Sequence, residues 1–215
     1  MQPEFWHQCW QQQRIGFHQT ELHPLLPVLT QQLRLVAPVH TFVPLCGKSL
    51  DMLWWRQFGP VVGAELSELA CQQFFQEQGW LAQREAHGSH QVFSAEQIRL
   101  WQGDFFALQA EQPGQIELIY DRAALIALPQ SMRLAYTQQL KLLCPTASLL
   151  LLTLEYPQAE MQGPPFAVTD AEVRDLFGFA SEIALLAVRD LTGRPFAQRQ
   201  FSVSQLKERA YLIRW

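Results

Sequence analysis

The run Phe42-Val43-Pro44-Leu45-Cys46-Gly47-Lys48-Ser49-Leu50-Asp51-Met52 constrains this chain more than any other feature. An apolar strand that stops at a glycine and opens into a helix belongs to a parallel α/β sheet. It leaves a crevice above the sheet edge, where a nucleotide-like ligand can lie against bare backbone. A second apolar run, Val61-Val62-Gly63-Ala64, ends in Glu65 and reads as a neighbouring buried strand. An acid at that strand end, about 20 residues after a glycine turn, is placed to take hydrogen bonds from the two hydroxyls of a ribose. The competing reading of Glu65 is a cap for the helix expected to begin near Ser67.

What surrounds Gly47 narrows the ligand. Gly47-Lys48-Ser49 matches the end of a P-loop, but Phe42 stands where that loop needs its first glycine, so the backbone cannot wrap a triphosphate. Gly47 is also the only glycine between Thr41 and Phe58, which removes the G-x-G-x-x-G dinucleotide pattern. A ribose reader without a phosphate cradle points to S-adenosylmethionine, with S-adenosylhomocysteine as product.

The remaining pattern alternates as a parallel sheet with crossover helices does. Strands are expected over 39–45, 61–65, 98–102, 116–120, 148–154, 183–190 and 210–214, and helices over 48–57, 67–78, 130–143 and 170–177. Thr169 is a candidate cap for the last helix, with Glu172 three residues on. The final two strands have no helical pattern between them and predict an antiparallel edge hairpin. Residues 1–36 carry Trp6, Trp10, Ile15 and Phe17, then leucines at mostly helical spacing. They read as an N-terminal helical cap, broken near Gly16 and Pro24, whose aromatics serve as a lid on a single domain spanning 1–215.

Composition excludes several classes of partner. A net charge of -4 and a pI near 5.9, with no run of Lys or Arg, argue against a nucleic-acid surface. No 18-residue apolar span or signal-peptide pattern is present, so no membrane association is expected. Cys9, Cys46, Cys71 and Cys144 lack a C-x-x-C pair and fit reduced thiols in the cytoplasm. Cys46 has no base paired with it in sequence, which favours a buried thiol over a nucleophile. His87 and His90 form an H-x-x-H pair in a Gly/Ser loop without further ligands, so no metal site is expected.

Five ordered motifs carry a resemblance over essentially the whole chain. They are Trp6, Trp10 and Gly16-Phe17-His18; PLCGKSLDM at 44–52; Val62-Gly63-Ala64-Glu65-Leu66-Ser67-Glu68; Asp121-Arg122-Ala123-Ala124-Leu125; and Gly163-Pro164-Pro165-Phe166. Together they resemble the thiopurine S-methyltransferases, in particular the shorter bacterial kind. The resemblance implies a Rossmann-like class I methyltransferase fold, a seven-stranded, mostly parallel sheet in the order 3-2-1-4-5-7-6 with an antiparallel C-terminal hairpin. It implies methyl transfer to the sulfur of thiopurines and other aromatic or heterocyclic thiols. Trp6, Trp10, Phe17, Leu45, Gly47, Glu65, Gly103, Asp104 and Arg122 are then expected at the cofactor, with Phe17, Arg122 and Pro165 at the acceptor. One further cation, Arg199 or Arg194, would join Arg122 in catalysis, with no certain general base.

Local alternatives stand beside these roles. Arg122 also suits a local ion pair with Asp121, and Asp104 suits either the adenine amino group or a Gly-Asp turn. Trp6, Trp10 and Phe17 suit either the core or the sulfonium, which an aromatic face attracts. His18 is a proton acceptor or a helix-boundary side chain. Pro164-Pro165-Phe166 is an apolar wall or a rigid turn. Selenium or tellurium species are alternative soft acceptors, in keeping with a detoxification or metalloid-resistance role. A monomer is expected, and a non-catalytic S-adenosylmethionine-binding module is the alternative of a different class.

Overall fold

The structure, a computed structural model, describes residues 3–196 and 199–215; the side chains of 195, 196 and 199 lie outside that description. The sheet grows from β1 (Thr41–Val43), β2 (Val61–Glu65), β3 (Gln83–His87), β4 (His90–Ala95), β5 (Ile98–Gln102), β6 (Leu118–Arg122), β7 (Ser148–Glu155), β8 (Glu182–Asp190) and β11 (Lys207–Arg214). A short separate pair, β9 (Pro195–Phe196) and β10 (Arg199–Gln200), lies between the last two. The helices are α1 (Pro3–Gln11), α2 (Leu26–Leu33), α3 (Asp51–Trp55), α4 (Glu68–Glu77), α5 (Gln130–Leu143) and α6 (Asp170–Leu176).

The nine strands run in the order β3-β4-β5-β2-β1-β6-β7-β11-β8. From β5 to β7 every pairing is parallel, and β11 and β8 close the far edge antiparallel. That seven-strand stretch has the order the resemblance implied. Both faces are covered, which is why β1 and β2 are buried at every position and why their sequences show unbroken apolar runs. Successive residues feed opposite layers: Phe42, Val62, Leu149 and Leu151 pack in one core, and Val43, Val61, Leu150 and Leu152 in the other.

β1 (Thr41–Val43 against 39–45) and α3 (Asp51–Trp55 against 48–57) are shorter than expected, and three further elements differ. The hairpin β3–β4 replaces the Gly/Ser loop, with His87 paired to His90 across a turn at Gly88 (φ 61°) and Ser89. All five β3 residues are exposed, so no apolar alternation marks the strand; main-chain pairing to β4 makes it. β6 lies two residues later than 116–120, because its ladder to β1 begins at Leu118. β11 begins at Lys207 rather than at Ala210. Its charged first turn is neutralised from other elements, Arg209 by Glu155 at 2.6 Å and Glu208 by His23 at 2.9 Å.

The last crossover helix follows its sequence closely. Thr169 Oγ1 accepts the Glu172 N–H at 3.2 Å, while the Glu172 carboxylate accepts from Arg133 at 2.6 Å instead of returning to the cap.

Candidate active site

Backbone bonds carry the sheet past its strand ends and shape the crevice. Cys46 N–H donates to the Ala64 carbonyl and Gly103 N–H to the Glu65 carbonyl, each at 2.9 Å. Leu45 and Gly47 both take left-handed backbone, at φ 45° and 53°, a conformation glycine adopts without penalty and leucine only under constraint. A Cβ at Gly47 would stand 3.1 Å from the Trp10 ring. The bare α-carbon is therefore what lets the cap's tryptophan reach the loop.

Glu65 is held by main chain. Its carboxylate accepts from Gly47 N–H at 2.8 Å and Ser67 N–H at 2.7 Å. The α4 cap is supplied by Ser67, whose Oγ accepts from Ala70 N–H at 3.3 Å. Burial pushes the Glu65 pKa up to about 7, against the pull of the Ser67, Gly47 and Leu66 N–H groups.

Arg122 is held by side chains, and its partner is not its neighbour. Asp121 points away into the core, accepting from Tyr136 Oη at 2.7 Å and from the Ala124 and Leu125 N–H groups; burial raises its pKa to about 6. The guanidinium instead donates through Nε to Asp51 at 2.5 Å and through Nη2 to Ser49 Oγ at 2.7 Å. Burial alone would lower the Arg122 pKa; Asp51 and Tyr120 outweigh it and keep the group charged.

These strand ends open into one cavity of 740 Å³. Trp6, Trp10 and Phe17 form its wall on the cap side, with both tryptophans edge-on to Phe17 at centroid distances of 5.5 and 5.6 Å. Leu45, Gly47, Glu65, Asp104, Arg122 and Pro165 also line it. Gly103 does not: it turns at φ 146° beneath the His90 ring, which a Cβ would meet at 2.5 Å. His90 Nε2–H donates to the Asp104 carbonyl at 3.0 Å, so the unforeseen β3–β4 hairpin braces this turn. The Asp104 carboxylate accepts from Phe106 N–H at 2.9 Å, the turn-capping role. Arg194 is exposed and is not among the described residues that line the cavity. The Arg199 side chain falls outside the described residues.

Several lining residues carry no expected role. Lys48 is buried beside Gly47 with Nζ on Glu77 at 2.5 Å, tying the loop to α4. Phe105, Phe106, Ile126, Met132 and Phe201 supply an apolar wall. Phe105 and Phe106 follow Asp104 directly and Ser49 sits inside the glycine motif, so position is the one signal that could have found them. Nothing local marks Phe201, which arrives from the C-terminal part of the chain.

His18 lines the cavity half-buried; burial first and Lys48 second lower its pKa, with Arg122 adding to them and Glu77 opposing. That direction favours the neutral imidazole. Cys46 is a buried thiol, fitted against Gly63, and its pKa is pushed well above the ordinary value by burial and by Glu65. Among the described residues no three His, Cys, Asp or Glu side chains form a metal set. No helix among them is long and apolar enough to cross a membrane.

Comparison with known proteins places this geometry in context. The family model for thiopurine S-methyltransferase matches residues 1–215. A thiopurine S-methyltransferase of Pseudomonas fluorescens is 44% identical over 215 residues, covering 100% of this chain and 99% of that protein. One from Shewanella sp. strain MR-4 is 47% identical over 218 residues with the same coverage. Among solved structures, the magnesium protoporphyrin IX methyltransferase of Synechocystis with bound S-adenosylhomocysteine superposes with a TM-score of 0.64 at 13% identity, covering 99% of this chain and 98% of that one.

Proposed function

Because the chain belongs to the thiopurine S-methyltransferase family, we propose that its cavity brings S-adenosylmethionine and the sulfur of a thiopurine or related aromatic thiol together for methyl transfer. The observation that carries this reading is the placement of Glu65 and Arg122. They end two parallel strands flanking β1, at one aromatic-walled cavity of 740 Å³.

The residues present suit the cofactor. Glu65 offers a buried carboxylate for ribose hydroxyls, and the bare Gly47 backbone lets a nucleoside lie close. A ring face of Trp10 or Trp6 attracts a cationic sulfur, by up to about 2 kcal/mol where water is excluded. When bound, S-adenosylmethionine supplies a methyl group on a sulfonium, a displacement that disperses charge and needs no oxyanion hole.

The chain's own work is then orientation. Holding two reactants near attack geometry lowers a barrier by roughly 7 to 11 kcal/mol. Phe17 and Pro165 confine the flat acceptor ring, and Arg122 faces its sulfur as a fixed positive charge that favours the thiolate. For acceptors that arrive protonated, the neutral imidazole of His18 is the base within the cavity. Asp104 and Leu45 bound the nucleoside pocket. The second cation of the reading is Arg199 or Arg194; Arg194 is exposed and is not among the described lining residues.

Soft selenium or tellurium anions suit the same arginine-bearing apolar pocket, which supports a detoxifying role. The protein is read as a monomer and as cytoplasmic, the latter supported by four free, buried cysteines. The deciding experiment pairs calorimetric titration of S-adenosylmethionine with a labelled-donor assay across thiopurines, aromatic thiols and selenium species. Saturable cofactor binding with thiopurine turnover is expected. Cofactor binding without turnover of any thiol would overturn the acceptor assignment.

A further inference from the structure

Asp51 is completely buried at the start of α3, and its two oxygens serve different parts of the molecule. Oδ1 accepts the backbone N–H of His23 at 2.9 Å. Oδ2 accepts Tyr120 Oη at 2.9 Å and Arg122 Nε at 2.5 Å. The aspartate is itself fixed from behind. His23, equally buried, is pinned by its ring to Glu208 of β11 at 2.9 Å, and Glu208 pairs with Arg189 of β8 at 3.1 Å. A chain of paired groups thus runs from the antiparallel edge of the sheet, through the cap segment, to the guanidinium at the cavity.

A free arginine side chain samples many rotamers, and freezing it costs conformational entropy. Here two hydrogen bonds from the protein oppose that motion without any ligand. Nε is engaged by Asp51 and Nη2 by Ser49, so two of the three guanidinium nitrogens are engaged by protein side chains. The remaining terminal nitrogen makes no hydrogen bond among the described residues. The plane of the guanidinium, and with it the direction of that last nitrogen, is set by Asp51 and Ser49 rather than by Arg122 itself.

We propose that Asp51, assisted by Ser49, is the positioning residue that aims Arg122 at the acceptor sulfur, with the His23 main chain fixing the carboxylate that does the aiming. This rests on the assignment of Arg122 to the acceptor, and it adds a requirement that assignment lacks. A correctly placed arginine charge is insufficient unless its plane is held from Asp51. Asp51 acts through Arg122 and touches neither reactant.

A double-mutant cycle on the full-length protein tests this, reading kcat, KM for an aromatic thiol, and S-adenosylhomocysteine affinity by calorimetry. Asp51→Asn is expected to lower kcat/KM about tenfold or more, within the range that directly coupled pairs show, mainly through kcat. In an Arg122→Lys background, which keeps the charge but lacks the planar fork, the same substitution should change kcat/KM by less than about twofold. Asp51→Glu should restore part of the loss. Should Asp51→Asn fail to fold, Ser49→Ala carries the cycle, with a smaller loss that again vanishes beside Arg122→Lys. Equal losses in both backgrounds, or none in the Arg122 background, would overturn the positioning role. An Arg122→Lys enzyme with unchanged kcat/KM would instead remove Arg122 from the acceptor site, a separate failure.

Discussion

The two corners of the cavity are built from different materials. Glu65 is braced by the N–H groups of Gly47 and Ser67, which any side chain at the latter position would also supply. Arg122 is braced by the side chains of Asp51 and Ser49, and Tyr120 donates to the same Asp51 oxygen. The backbone-braced corner is fixed by the path of the chain and depends on few identities: the acid itself and the glycine. The side-chain-braced corner depends on a set of polar residues that must all be present, and losing one leaves the others buried without partners.

This contrast is sharpest at Glu65. Glu65→Ala should weaken S-adenosylmethionine binding by roughly 10²-fold or more, since hydrogen bonds to a buried charged group contribute about 1.5 to 3 kcal/mol each. Circular dichroism should still show a folded domain. Wild-type affinity by calorimetry in this variant would end the ribose assignment. At the opposite corner, Arg122→Ala should lower kcat/KM for an aromatic thiol by about 10²-fold, the scale of removing one charge-stabilising donor. An unchanged value would take the arginine out of the mechanism.

The Glu65 corner also has a pH signature that the other lacks. Its carboxyl titrates at about 7 in the folded protein against an ordinary 4.5, so the folded state holds this proton more tightly than the unfolded chain. Stability contributed by the protonated form is present at low pH and is lost as pH rises from about 4.5 to about 7. Glu65→Gln should flatten that part of a stability-against-pH curve measured by urea unfolding. Binding runs in the opposite sense, because ribose hydroxyls are received by the ionised carboxylate. Cofactor affinity should fall by up to about tenfold per pH unit below 7, and a flat profile between pH 5.5 and 8, on the order of one unit either side of that value, would contradict it.

The smallest expected effect comes from the loop itself. Gly47→Ala should cost about 1 to 2 kcal/mol of stability for a left-handed alanine, and should displace the Trp10 ring now 3.1 Å from the added carbon. A few-fold loss of cofactor affinity follows, readable as a calorimetric shift. A fully wild-type variant would show that Trp10 does not close on the loop.

The glycine turn, the buried strands and the acid at 65 were legible because each is local. A strand buried on both faces must be apolar throughout, and a left-handed turn beside a close ring favours glycine. The helix begun at Thr169 followed from the same local signals, and the seven-strand order from the family resemblance. The β3 strand was invisible, since Gln83-Arg84-Glu85-Ala86-His87 exposes every residue and pairs only through its backbone. Asp121 and Arg122 show the complementary limit. Their adjacency suggests an ion pair, yet successive residues on a strand point to opposite faces, so Asp121 meets Tyr136 and Arg122 meets Asp51.

By itself, then, the order of residues determined the sheet, its crevice and the acid at the end of β2, because backbone conformation and burial are written in short stretches of chain. Which carboxylate holds Arg122, and that His23 and Glu208 stand behind it, was decided only in three dimensions. Those partners are 71, 28 and 185 residues apart along the chain, and a buried charge takes whichever opposite charge the packing brings within hydrogen-bond distance.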